Sequence, residues 1–133
     1  MNKNIAIYMD HALAQLMQPS DEGIITTYIE SEFTHAEKEE TLLKGEKTMH
    51  NKEQHEQASY YQQIANAIKG CDAILLFGPT EAKTELHNIL AKMKDFDKAK
   101  IKVKTSDKMT ENQKLAFVKK YLSTLARQVT HIN

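Results

Sequence analysis

Ile5-Ala6-Ile7-Tyr8-Met9 and Ala12-Leu13-Ala14-Gln15-Leu16-Met17 are short apolar runs with only Asp10-His11 between them, and so tight a connection predicts a β-hairpin. Gln18-Pro19-Ser20-Asp21-Glu22-Gly23 reads as a turn, since Pro and Gly punctuate a chain and Ser and Asp bond their own backbone. The β-branched run Ile24-Ile25-Thr26-Thr27-Tyr28-Ile29 then predicts a third strand, completing an antiparallel meander. From Ser31 to Glu56 the pattern lapses. Residues 36–53 hold few apolar positions and many charges, among them Lys44, Gly45, Glu46 and Lys47, and read as a solvated, flexible arm. A connection of that length inside a compact domain is either functional or disordered.

Periodicity returns at helical spacing with Ala58, Tyr61, Ile64, Ala65 and Ile68, in a helix expected from about Gln54 and ended by Gly70. Ala73-Ile74-Leu75-Leu76-Phe77 is apolar without alternation, as in a strand covered on both faces. Ala82, Leu86, Ile89, Leu90 and Met93 mark a second helix. Lys100-Ile101-Lys102-Val103-Lys104 alternates strictly, as a half-exposed edge strand does. Thr110-Glu111-Asn112-Gln113 has the form of a capping box. Behind it Leu115, Val118, Leu122, Leu125 and Val129 form the apolar stripe of a third helix. The order β-β-β-α-β-α-β-α predicts an α/β domain, a mixed five-stranded sheet with helices on both faces, ribonuclease H-like in its sequence of elements.

The length of 133 residues fits one domain, spanning 1–133, and suffices for a real core. Its longest apolar run, Ala73 to Phe77, is far short of the roughly 20 residues of a membrane helix, and no signal-peptide pattern opens the chain. A lone Cys71 forms no internal disulfide, so a cytoplasmic protein without membrane contact is expected. Formal net charge is zero, yet the charges are segregated. Residues 1–60 carry 5 Lys/Arg against 11 Asp/Glu and residues 61–133 carry 13 against 7, six negative and six positive respectively. Such a polarity gives a neutral chain a basic face for a polyanion, or two halves that attract each other.

Candidate chemistry is sparse. A ribonuclease H-like order raises a two-metal nuclease, for which Asp10 stands near the first carboxylate position. The fourth strand ends in Phe77-Gly78-Pro79 without an acid, so Asp10 reads as a turn residue and no catalytic residue is assigned. The six histidines are scattered, with His50 and His55 five apart, and no metal site or cofactor is expected. Cys71 reads as an inert small hydrophobe. Gly78-Pro79-Thr80-Glu81-Ala82-Lys83 runs from strand through turn into helix, with Thr80 available as N-cap and Lys83 in the first turn. Such a junction is a candidate anion site, or simply a structural turn. Lys98, Lys100, Lys102 and Lys104 point to one side of the pleat. They either follow a phosphate backbone or protect a sheet edge from aggregation.

The order of elements together with Gly78-Pro79 followed by Ala82-Lys83 resembles the middle domain of archaeo-eukaryotic class-1 peptide release factors and their Pelota relatives, including small bacterial versions. The likeness runs from the meander (Ile5 to Glu30) through the helix from about Gln54 to the Gly78–Lys83 turn. In release factors the exposed loop carries Gly-Gly-Gln, which enters the peptidyl-transferase centre and positions water on the peptidyl-tRNA ester. Here the corresponding residues 36–53 contain one glycine, Gly45, followed by Glu46 and Lys47, and Gly-Gly-Gln occurs nowhere. The resemblance therefore implies a translation-related factor that binds ribosome or tRNA without peptidyl-tRNA hydrolase activity. The alternatives are an adaptor whose charged arm orders on a protein partner, and a small phosphate-ligand binder at Gly78–Lys83.

Overall fold

The computed structural model describes the backbone of residues 3–31 and 46–132, and the side chains of residues 3–31 and 57–122. Five strands form one mixed sheet: β1 (Asn4–Met9), β2 (Leu13–Ser20), β3 (Gly23–Glu30), β4 (Ala73–Gly78) and β5 (Lys100–Thr105). Among the described residues three helices accompany it, α1 (Glu46–Ala67), α2 (Ala82–Ala91) and α3 (Glu111–Ile132), with one 3₁₀ turn at Lys94–Phe96. The spatial order is β3-β2-β1-β4-β5. The meander pairs antiparallel, while β1 with β4 and β4 with β5 pair parallel. This is the mixed α/β sheet that the order of elements predicts.

The sheet divides the core by residue parity. Ile5, Ile7, Met9, Ile74 and Leu76 meet Tyr60, Tyr61, Ile64 and Ile68 of α1 and Leu86 and Leu90 of α2. Ala6, Leu75 and Phe77, on the alternate positions, meet Val118 and Leu122 of α3. With apolar neighbours above and below, β1 and β4 have no solvent face, which is why Ala73–Phe77 shows no alternation. Each fully buried Leu, Ile or Phe in these layers contributes about 1.5–3 kcal/mol of transfer free energy. The capping box forms: the Gln113 amide donates to Thr110 Oγ1 at 3.2 Å and the Thr110 amide to Gln113 Oε1 at 2.9 Å.

Three expectations change. The turn between β2 and β3 shrinks to Asp21-Glu22, because β2 continues through Gln18, Pro19 and Ser20. Pro19 is tolerated because β1 pairs with β2 only as far as Met17, so its missing N–H interrupts no ladder on that side. Helix α1 starts at Glu46, eight residues before Gln54 and inside the segment read as a flexible arm. Residues 36–45, with Lys44 and Gly45, lie outside the described residues, whereas Glu46 and Lys47 open the helix. Finally, Ala58 is exposed, and Tyr60 takes the buried place on the α1 stripe. A buried tyrosine needs an acceptor, and its hydroxyl donates to the Asp10 carbonyl at 2.9 Å.

Candidate nucleic-acid interface

Strand β5 is an edge, bonded only to β4 among the described residues, and its pleat sorts two kinds of side chain. Ile101 and Val103 pack on the α1/α2 core, so Lys100, Lys102 and Lys104 stand exposed on the α3 side. Alternate residues of a strand repeat every ~6.6 Å, so the lysines form a straight row. Lys98 is also exposed, just ahead of the strand. Beside the row lies an aromatic ladder that joins the sheet to α3. Tyr8 meets Phe77 edge-on at 5.2 Å between centroids, Phe77 meets Phe117 at 4.9 Å, and Phe117 stacks on Tyr121 at 6.5 Å and 17°. Lys104 Nζ sits 5.9 Å from the Phe117 centroid and 5.4 Å from that of Tyr121, which steadies this ammonium at the surface. Burial raises the Tyr121 hydroxyl pKa, so the ring next to the lysine row stays neutral.

The opposite end of the ladder is held by a polar cluster. Gln15, only 3% exposed, donates to Glu111 Oε2 at 3.0 Å and accepts from Lys114 Nζ at 3.0 Å. Lys114 also donates to Glu111 Oε1 and lies 4.2 Å over the Tyr8 ring. The bonds from Lys114 and Gln15 hold the Glu111 carboxyl below its usual pKa. No signal in the sequence singled out Gln15, because a polar residue on an apolar strand reads as solvent-facing until its partners are known. The cluster pins the start of α3 to β2 and so fixes where α3 runs relative to the lysine row.

The Gly78–Lys83 turn is built differently from an open phosphate cradle. Gly78 has φ +150°, and a Cβ there would stand 2.3 Å from the Met9 carbonyl oxygen, so only glycine lets β4 leave the sheet this close to β1. Glu81, not Thr80, occupies the N-cap position of α2 and makes no side-chain cap bond. Thr80 lies one residue earlier, where its Oγ1 accepts from the Ala82 amide at 3.3 Å in a local turn. Lys83 is 1% exposed, and its ammonium donates to the Thr80 carbonyl within the turn. Its charge closes the turn from inside. Thr80 and Lys83 are thus brought together, but Lys98, Lys100, Lys102 and Lys104 belong to β5 and the chain just before it. Asp10 Oδ1 accepts from the Ala12 and Leu13 amides at 2.7 and 2.9 Å, the turn role read from its position. Burial raises the pKa of the Cys71 thiol, keeping it a thiol.

Among the described residues no helix is long and apolar enough to cross a membrane. No family model and no curated protein matches the sequence. Solved structures similar in fold include two Pelota proteins. The Pelota protein of Thermoplasma acidophilum superposes with a TM-score of 0.57 at 18% identity, covering 89% of this chain and 32% of that one. Pelota of Archaeoglobus fulgidus gives 0.58 at 9% identity, covering 98% and 37% respectively. This chain therefore spans about a third of the length of the Pelota proteins it matches, and its fold is a Pelota-like mixed α/β sheet.

Proposed function

We propose that this chain is a non-catalytic, translation-related factor of the cytoplasm, a single unit like the middle domain of release factors and Pelota, that docks on ribosomal RNA or tRNA. The observation that carries the reading is the β5 edge, where Lys100, Lys102 and Lys104 stand on one side of the pleat while Ile101 and Val103 anchor the strand. Cations at fixed spacing neutralise successive phosphates and release their counterions without reading sequence. Pelota-like folds supply the translational setting, and the missing Gly-Gly-Gln removes the group that release factors bring to the peptidyl-tRNA ester. The Gly78–Lys83 turn lends this reading no cation, because the Lys83 ammonium is committed to Thr80.

Co-sedimentation with ribosomes tests it. Binding is expected at low salt and release at higher salt, with log K falling by about 0.7–0.9 per decade of salt for each phosphate contacted. The triple variant Lys100→Glu, Lys102→Glu, Lys104→Glu is expected to stay in the supernatant at both salts while keeping its thermal midpoint. Sedimentation of that variant like the parent overturns the assignment of the lysine row. Cleavage of peptidyl-tRNA by the purified protein overturns the non-catalytic reading.

A further inference from the structure

The two edges of this sheet are unlike each other. β5 carries a lysine at every second position, which repels a further strand. In its own sequence and register β3 has none of the devices that blunt an edge. It is eight residues long, against the usual 5–6. It contains no Pro, Lys or Arg, and its only charge is Glu30 at the end. Its register with β2 runs unbroken from Leu13↔Glu30 to Ser20↔Gly23, so no bulge twists it away. Among the described residues no strand lies on its outer side. Apolar side chains stand exposed on both of its faces. Ile25, 58% exposed, shares the α1/α2 side with Ile29, and Tyr28, 54% exposed, shares the α3 side with Ile24 and with Leu13 across the hairpin.

Among the described side chains at the two ends of this strand the charges are acidic: Asp21 and Glu22 in the turn before it and Glu30 at its close. A second copy pairing edge to edge would bring the Asp21-Glu22 turn of one molecule toward Glu30 of the other, setting like charges together. A cationic chain meets no such repulsion.

We propose that β3 is a docking edge for an extended segment of a partner protein whose middle is uncharged and β-branched and whose flanks are rich in lysine or arginine. The segment adds a sixth strand: main-chain bonds to β3 supply affinity, Ile25 and Tyr28 give its side chains an apolar contact on either face, and the acids at both ends of β3 select the basic flanks. This edge lies across the sheet from the lysine row, so both surfaces can be engaged at once.

The probe is a synthetic peptide of alternating threonine and valine flanked by two lysines at each end, titrated into the labelled full chain. Hydrogen-exchange protection and amide shifts are expected to concentrate on residues 23–30, in a protein that is monomeric by sedimentation before peptide is added. The double variant Ile25→Lys, Thr27→Lys, at two exposed positions, is expected to bind about tenfold more weakly or worse at unchanged thermal midpoint. Three control results overturn the proposal: equal binding of a glutamate-flanked peptide, equal binding of one with a central proline, or protection that maps away from β3. A free protein already dimerised through β3 overturns it as well. Because the peptide controls are read on the parent protein, a double variant that fails to fold does not shelter the idea.

Discussion

Gly78 and Lys83 bracket one turn and are fixed there by opposite requirements, one for the absence of a side chain and one for a long stem. At Gly78 a methyl group would collide with the Met9 carbonyl oxygen at 2.3 Å, and the backbone lies where L-residues are strained. Gly78→Ala is expected to cost at least about 2 kcal/mol, read as a lower urea midpoint at constant slope. An unchanged midpoint would show that β1 and β4 can separate there cheaply. For Lys83 the stem fills buried space and the ammonium satisfies the Thr80 carbonyl. Lys83→Ala removes both and is expected to destabilise by about 2–5 kcal/mol. Lys83→Met keeps the volume and discards a buried charge, so it is expected to fall within about 1 kcal/mol of the parent or to be more stable. If neither variant alters ribosome binding beyond its effect on stability, Lys83 is a structural cation only.

At the scale of elements, α1, α2 and the β1–β2 turn meet in a surface cluster. Tyr61 donates to Glu85 Oε1 at 2.6 Å, and His11 Nε2 lies 3.3 Å from Glu85 Oε2. Partial burial pushes the Glu85 pKa up, but the bonds from Tyr61 and His11 outweigh it and hold the carboxyl below its ordinary value. The folded protein thus binds the Glu85 proton less readily than the unfolded chain. The resulting stability is fully present above the ordinary carboxylate pKa and is lost as pH falls through the lowered folded value. A Glu85→Gln variant is therefore expected to melt below the parent at neutral pH, with the gap closing on acidification below about pH 4. Because Glu85 is half-exposed, the gap should be small. A gap that widens in acid refutes the linkage.

The same scale explains what the sequence made legible. Elements set by a run or a period, β4, β5 and the capped α3, follow from adjacent residues alone, since local geometry decides which side each residue faces. The burial of Tyr60, Gln15 and Lys83 does not show in the sequence because polar groups bury only where an acceptor waits, and the placing of those acceptors, Asp10, Glu111 and Thr80, is set by the fold. Pro19 misled for a related reason. A proline breaks a strand only where a neighbour needs its N–H, and how far β1 extends beside β2 is a tertiary fact. The lysine row was visible at once, yet its two readings differ in what lies opposite the edge rather than in the row itself.

For the whole molecule the decisive quantity is how charge is distributed rather than its sum. The formal net charge is zero and the sequence pI about 7.0, values at which a protein with interspersed charges has little affinity for either ion-exchange resin. Here Lys100, Lys102 and Lys104 lie on β5 at one edge, while Asp21, Glu22 and Glu30 lie around β3 at the other, with three strands between. At 0.01 M salt the Debye length is about 30 Å and at 0.15 M about 8 Å, so each edge acts on a charged surface only when salt is low. The protein is therefore expected to be retained at pH 7 and low salt on both a cation and an anion exchanger, and to elute from each as salt rises. Lys100→Glu, Lys102→Glu, Lys104→Glu should abolish retention on the cation exchanger and strengthen it on the anion exchanger. Flow-through of the parent on both resins would mean that the opposite charges neutralise each other within the fold, and the β5 edge would then have no field with which to attract RNA.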